Sequence, residues 1–256
     1  MLDKHRLVSR EATEEKMGRR KQTRGNCVFC GREMAKSGLS KHLQSCEALQ
    51  AAQTEANKQR GRNQSIYHLQ ILDAYSGDFW LHLEMRGNAT LEDLDAYLRA
   101  IWLECCGHLS AFHIGPNRYT QIFNDGWSVG DEKPMNVQVQ RLFVPDMAIP
   151  YEYDFGTTSE LTIKVLNVRD GKPHTKHPIF LMARNRMPDI PCMECGEQAT
   201  LICLDCLYET DGPSELCDAH WETHQHDCEN YGGPMPLVNS PRTGLCGYVG
   251  PAEPPY

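Results

Sequence analysis

Tyr67, Leu69 and Ile71 alternate with polar neighbours, and Phe79, Leu81, Leu83 and Met85 repeat that period of two after the Ser76-Gly77 pair. The alternation predicts two strands joined by a short connection. The period then changes. Leu91, Leu94, Leu98, Ile101 and Trp102 recur at helical spacing through Leu103, behind a capping-box-like start at Thr90-Leu91-Glu92-Asp93, which predicts one principal core helix. Further strands are expected over 108–114, 119–123, 137–143, 151–155, 161–168 and 179–182, punctuated by turn signals at Asn124-Asp125-Gly126 and Asp170-Gly171. Many short strands around one helix imply an α+β fold with a central, mainly antiparallel sheet over residues 66–187.

The flanks have a different texture. Residues 1–24 read as a basic flexible arm, 25–48 as a small finger and 49–65 as a helical linker rich in Ala, Gln and Lys. Pro188-Asp189-Ile190-Pro191 marks a boundary, followed by a Cys/His-dense module at 190–230 and a tail at 231–256 with six prolines and five glycines, expected to be extended or disordered. No run of eighteen apolar residues and no secretory pattern at Met1-Leu2-Asp3-Lys4-His5-Arg6 is visible, so a cytoplasmic protein without a membrane partner is expected. Charge is uneven. Residues 1–62 hold fourteen Lys and Arg against seven Asp and Glu, whereas the remainder holds twelve against twenty-seven. Any attraction to DNA or RNA is therefore expected to be local to the first module.

Twelve cysteines and eleven histidines in a reducing compartment point to metal rather than disulfides. Cys27-x2-Cys30-x11-His42-x3-Cys46 supplies three thiolates and one imidazole, the donor set of a closed tetrahedral zinc site. Cys27 and Cys30 fall on a tight knuckle, and His42 and Cys46 lie four apart on a helix beginning near Ser37 or Ser40, with Leu39 and Leu43 as its apolar side. The arrangement resembles a two-cysteine zinc finger with Cys in place of the last His. Exposed Arg32, Lys36 and Lys41 suit phosphate, RNA or a protein surface equally.

In the second module, Cys192, Cys195, Cys203, Cys206, Cys217, His220, His224 and Cys228 provide eight donors, enough for two zinc ions. An interleaved cross-brace places Cys192, Cys195, Cys217 and His220 on one ion and Cys203, Cys206, His224 and Cys228 on the other, with His226 competing for the place of His224. The segment resembles MYND and B-box modules. Trp221-x2-His224-x3-Cys228 matches the closing part of the MYND pattern, while Cys217-x2-His220 is closer to B-boxes. The resemblance implies a protein-interaction role. In all, about three zinc ions are expected.

The central stretch carries Thr90-Leu91-Glu92-Asp93-Leu94, Cys106-Gly107-His108-Leu109-Ser110-Ala111-Phe112, Tyr119 and Tyr151-Glu152-Tyr153-Asp154-Phe155-Gly156. By these it resembles the plasmid ORF-three-like family, also described as insertion-element passenger TnpR-like proteins, which implies an association with mobile elements. It departs from that pattern at Ser159 and Leu161, where Trp and His are typical, and at Asp95, where the helix commonly has His. No activated Ser with convergent arginines marks a recombinase, and Asp154-Phe155-Gly156 lacks the phosphate loop and catalytic loop of a kinase. Among the remaining residues, Cys105 and Cys106 read as small packing residues, Cys246 as a free thiol, and His174 and His177 as surface-loop residues. The leading expectation is a non-enzymatic zinc protein that recruits nucleic acid or protein. The alternative is a metal-dependent nuclease or other hydrolase with a cleft near Asp154 and His108, shared with Tyr119 and Tyr153.

Overall fold

The computed structural model describes residues 22–121, 132–210, 212–224 and 233–255; almost all of the amino-terminal arm, the turn at 124–126, His226 and Cys228 lie outside them. The fold is α+β. Ten strands form one sheet: β1 (Arg24–Cys27), β2 (Glu33–Ala35), β3 (Gln64–Asp73), β4 (Trp80–Arg86), β5 (Ser110–Ile114), β6 (Asn117–Thr120), β7 (Lys133–Pro134), β8 (Ala148–Tyr153), β9 (Ser159–Gly171) and β10 (Ile179–Asn185). Their order is β2-β1-β10-β4-β3-β9-β8-β5-β6-β7, antiparallel throughout except for β6 with β7.

Period-two burial is clear in β8 and β9, where Ile149, Tyr151 and Tyr153 and then Leu161, Ile163 and Val165 face inward. They meet α3 (Leu91–Leu98), for which α1 (Lys36–Ser45) and α2 (Glu47–Lys58) precede it in the chain. Thr90 Oγ1 accepts from the Asp93 amide at 3.1 Å while the Asp93 carboxylate accepts from the Thr90 amide at 2.7 Å, a reciprocal cap. The helix continues as a wider, π-helical turn over Arg99–Leu103. Val137 to Phe143, expected as a strand, instead contains a short 3₁₀ turn over Val139–Arg141. The reason is local: the Met135 and Val137 carbonyls accept from Glu92 and Leu91 at the start of α3, and Val139 and Phe143 are buried one helical turn apart.

β4 is buried on both faces. Leu81, Leu83 and Met85 join the α3 side, and Trp80 packs with Cys27, Leu39, Leu43, Cys46 and Leu49 on the other. The finger thus covers the second face of the sheet, and its β1 extends that sheet through β10. A side chain at Gly25 would meet the Arg184 carbonyl and the Trp80 ring, so glycine is what lets β1 lie there.

Between α1 and β4 runs a polar seam. His82 Nδ1 is 2.9 Å from His68 Nε2, and Ser40 Oγ and Gln70 Nε2 lie 3.2 and 3.3 Å from His82 Nε2. Burial depresses both imidazoles, His68 to about 4 and His82 to about 3, with the neighbouring His68 adding to the effect on His82. Because these values lie below the ordinary 6.5, the stabilisation is complete above about pH 6.5 and is lost as pH falls towards 4, at about 1.4 kcal/mol per pH unit per histidine. With zinc buffered, urea unfolding between pH 7 and pH 5 should show a steeper loss in the native chain than in His82→Gln. Equal slopes would refute the role of this pair.

Candidate metal centres

Among the described residues, four groups of thiols and imidazoles converge, each with its donor atoms within 4.8 Å of one another. In the first, Cys27 closes β1, Cys30 ends the knuckle, and His42 and Cys46 come from the last turn of α1 and the residue after it. The Gly31 amide donates to the Cys27 carbonyl at 2.8 Å, which requires the positive φ of +71° that Gly31 adopts. Cys27 Sγ lies 3.9 Å from Cys46 Sγ, and Cys30 Sγ lies 3.2 Å from His42 Nε2. Burial pushes the Cys27 thiol up to about 11, whereas the Arg32 amide draws the Cys30 thiol down.

The second group has the same knuckle, with the Gly196 amide bonded to the Cys192 carbonyl at 2.9 Å and Gly196 at φ +78°. It joins Cys192 and Cys195 to Cys217 and to His220 on α4 (Asp218–Trp221). Cys195 Sγ is 3.9 Å from Cys217 Sγ, and His220 Nδ1 is 3.7 and 3.2 Å from the sulfurs of Cys192 and Cys217. Burial works against the Cys192 thiolate, yet the amides of Cys195, Cys217 and Glu194 bring its pKa down to about 6. The third group contains Cys203, Cys206 and His224, with Cys206 Sγ 3.4 Å from His224 Nε2. Cys228, and His226, which competes for the place of His224, lie outside the described residues. β11 (Leu201–Ile202), β12 (Glu215–Leu216) and β13 (Met235–Pro236) form a small antiparallel sheet in the order β12-β11-β13.

Metal–sulfur bonds of about 2.3 Å and metal–nitrogen bonds of about 2.0–2.1 Å give tetrahedral edges of about 3.8 Å between sulfurs and about 3.6 Å between sulfur and nitrogen. The separations above fall close to those edges and far from the roughly 2.05 Å of a disulfide.

The fourth group is Cys105, Cys106, His108 and Cys246. Sequence reasoning placed the first two as packing residues and the last as a free thiol. Cys105 does pack, partly buried, against the main core, and Cys246 is a free, exposed cysteine; Cys106, however, is exposed rather than packed, with its sulfur 3.6 Å from that of Cys246. A signal was present: Cys106-Gly107 and Cys246-Gly247 share the Cys-Gly step of both knuckles, and both glycines have positive φ. The tail was likewise expected to be extended or disordered, but residues 233–255 fold back over the domain. Their anchor is Arg242, whose side chain is fully buried and bonds Asp154 Oδ2 at 2.6 Å, the Thr157 carbonyl at 2.7 Å and Ser159 Oγ at 3.1 Å.

Asp154 and His108 do approach, at 3.5 Å, and the His108 ring stands edge-on to Tyr153. Tyr119 packs in the main core. Burial opposes the charged form of Asp154, but Arg242 and the amides of Gly156 and Thr157 hold its carboxyl below the usual range. Asp95 is buried and accepts from Ser110 at 2.5 Å, Tyr151 at 2.8 Å, Arg99 at 2.8 Å and Gln121 at 2.9 Å, a filled polar network on α3. His174, expected on a surface loop, has a side chain only 7% exposed, 3.2 Å from Glu84, because Arg169 and Glu84 draw that loop inward.

No helix among the described residues is long and apolar enough to cross a membrane. No curated protein matches the chain. Among solved structures, a protein of unknown function from Methanosarcina mazei Go1 is similar at a TM-score of 0.41 and 17% identity, over 52% of this chain and 76% of that one. The family model of plasmid pRiA4b ORF-3-like proteins matches residues 65–227, a span that takes in β4 to β10 and the Cys/His groups from Cys192 to His224. The chain belongs to the plasmid pRiA4b ORF-3-like family.

Proposed function

We propose that this protein is a zinc-stapled, non-enzymatic scaffold that recruits nucleic acid through a basic groove at the end of α2. Zinc is the ion assigned because thiolate and imidazole donors at tetrahedral spacing suit it, and in the groups where four protein donors converge no position is left for a reacting water. The groove is the observation that carries the partner. It encloses about 330 Å³ between residues 59–62 and 172–176, and its lining includes Arg60, Arg62, Arg86, Lys172 and Lys176 but no carboxylate. Lys172 Nζ donates to the Asn57 carbonyl at 3.0 Å and Arg86 donates to the Thr175 carbonyl, so these two cations fix the walls. Arg60, Arg62 and Lys176 are exposed at the rim, where phosphates can reach them.

The finger contributes differently from a DNA-reading helix. Its α1 turns Leu39 and Leu43 onto the sheet, and the chain then runs through α2 to Arg60 and Arg62. In the carboxy-terminal groups the donors alternate along the chain, as in a cross-brace, and a MYND-like protein contact there is the competing outcome.

Gel shifts on single-stranded and duplex DNA and RNA across a salt series decide between them. Binding should weaken with salt, and the double variant R60A/R62A should lower the slope of log K against log salt by about 2. Absence of a shift at low salt, or an unchanged slope, would reject the groove.

A further inference from the structure

We propose that Cys105, Cys106, His108 and Cys246 form a fourth zinc site that clamps the carboxy-terminal strap, residues 233–255, onto the central domain. The donors come from two distant segments, the loop after the π-helical turn and the strap. Cys106 Sγ lies 3.8 Å from Cys105 Sγ and 3.6 Å from Cys246 Sγ, and His108 Nε2 lies 2.9 and 3.2 Å from the sulfurs of Cys106 and Cys246. The two sulfur separations match tetrahedral edges of about 3.8 Å, and the imidazole lies somewhat inside its edge of about 3.6 Å.

The surroundings are those of a built site. Glu104 accepts from the Gly107 amide at 2.6 Å, and Arg99 donates to the His108 carbonyl, which together fix the loop. Arg99 in turn is held by Asp95 and Glu104 at 2.8 and 2.5 Å. Behind the sulfurs, Arg242 Nη2 approaches Cys105 Sγ at 3.6 Å while keeping its bond to Asp154. The guanidinium there can donate to the Cys105 thiolate, an outer contact of the kind that orients a metal ligand. Cys246 and Asp154 both have positive φ, 49° and 65°, which is costly for residues other than glycine and concentrates where surrounding structure dictates the backbone.

The strap reaches this position by contacts of its own. Ser240 Oγ donates to the Trp102 carbonyl at 2.7 Å, Arg184 donates to the carbonyls of Asn239 and Ala252, and Tyr208 donates to the Gly244 carbonyl. A metal at Cys246 would add a bond between strap and body that apolar packing does not supply, since Cys246 itself is exposed.

The test uses the full chain purified with reductant and buffered zinc. Metal analysis should return about four zinc ions for the native protein and one fewer for Cys246→Ser, with His108→Ala giving the same loss from the body side. Hydrogen exchange in residues 237–255 should accelerate by at least about tenfold in Cys246→Ser. Zinc content equal in native and variant chains would overturn the proposal, as would a Cys106–Cys246 disulfide in non-reducing peptide maps. Nucleic-acid binding by Cys246→Ser should remain at the native level, so failure of the groove and failure of this site give different results.

Discussion

Chelating zinc is expected to unfold residues 192–224 while leaving the large sheet folded. Among its described residues the segment has two two-residue strands, a five-residue π-helical turn over Cys206–Thr210 and a four-residue helix, and its buried residues fall in two small clusters, Cys192, Cys203, Cys206 and Leu216 in one and Ile202 and Leu204 with Met235 in the other. So small an apolar core cannot offset the conformational entropy of ordering the chain. A structural zinc ion contributes about 10–16 kcal/mol in peptides of this kind, which makes metal binding and folding one event. The central sheet has no such dependence, because Leu69, Ile71, Leu81, Leu83, Ile163 and Val165 are buried between β3, β4, β9 and α3. Hydrogen exchange with and without chelator reads the difference directly. Amides such as Cys203, bonded to the Ser214 carbonyl, and Thr200, bonded to the Leu216 carbonyl, should lose protection, while those of β3, β4 and β9 keep it. Unchanged protection across 192–224 would show that the segment holds together without metal.

Arg242→Met should destabilise the protein by about 3–5 kcal/mol, the usual cost of leaving one member of a buried ion pair without the other. Asp154 is 7% exposed at the side chain and its Oδ2 is 2.6 Å from Arg242 Nη2, so no bulk water replaces the lost guanidinium. The substitution also strips donors from the Thr157 carbonyl and Ser159 Oγ and removes a cation over the Tyr153 ring. Asp154→Asn alone strands the arginine instead. A double variant carrying both changes should cost clearly less than the sum, which urea unfolding of the four proteins measures. Strict additivity would mean that the two groups do not act as a pair.

How much of this could be read from the chain depends on whether a signal is local. Alternation around Leu69 and Leu83 and the Thr90–Asp93 cap depend on neighbours in sequence, and they give β3, β4 and α3. The mainly antiparallel α+β character follows from the same patterns. Less visible was the burial of β4 on both faces, since its polar members His82 and Glu84 are satisfied by Ser40, His68, Arg169 and His174 from elsewhere in the chain. Val139 and Phe143 mislead because two apolar residues one turn apart also fit an irregular alternation. The fourth Cys/His group escaped notice because 138 positions separate His108 from Cys246, and spacing rules apply only to donors that share a short loop. A tail rich in Pro and Gly reads as unstructured until Arg242 is seen to have a buried carboxylate waiting for it.

That last contact has a bearing on how the protein is made. Ribosomes deliver Asp154 well before Arg242, so until the strap emerges the carboxylate has the amides of Gly156 and Thr157 as partners but not the guanidinium. The same late segment brings β13 to β11 and Cys246 to the His108 loop. Full maturity of the body thereby waits on synthesis of the strap, and a product truncated before Arg242 would leave Asp154 without its guanidinium, a defect for quality-control proteases to find.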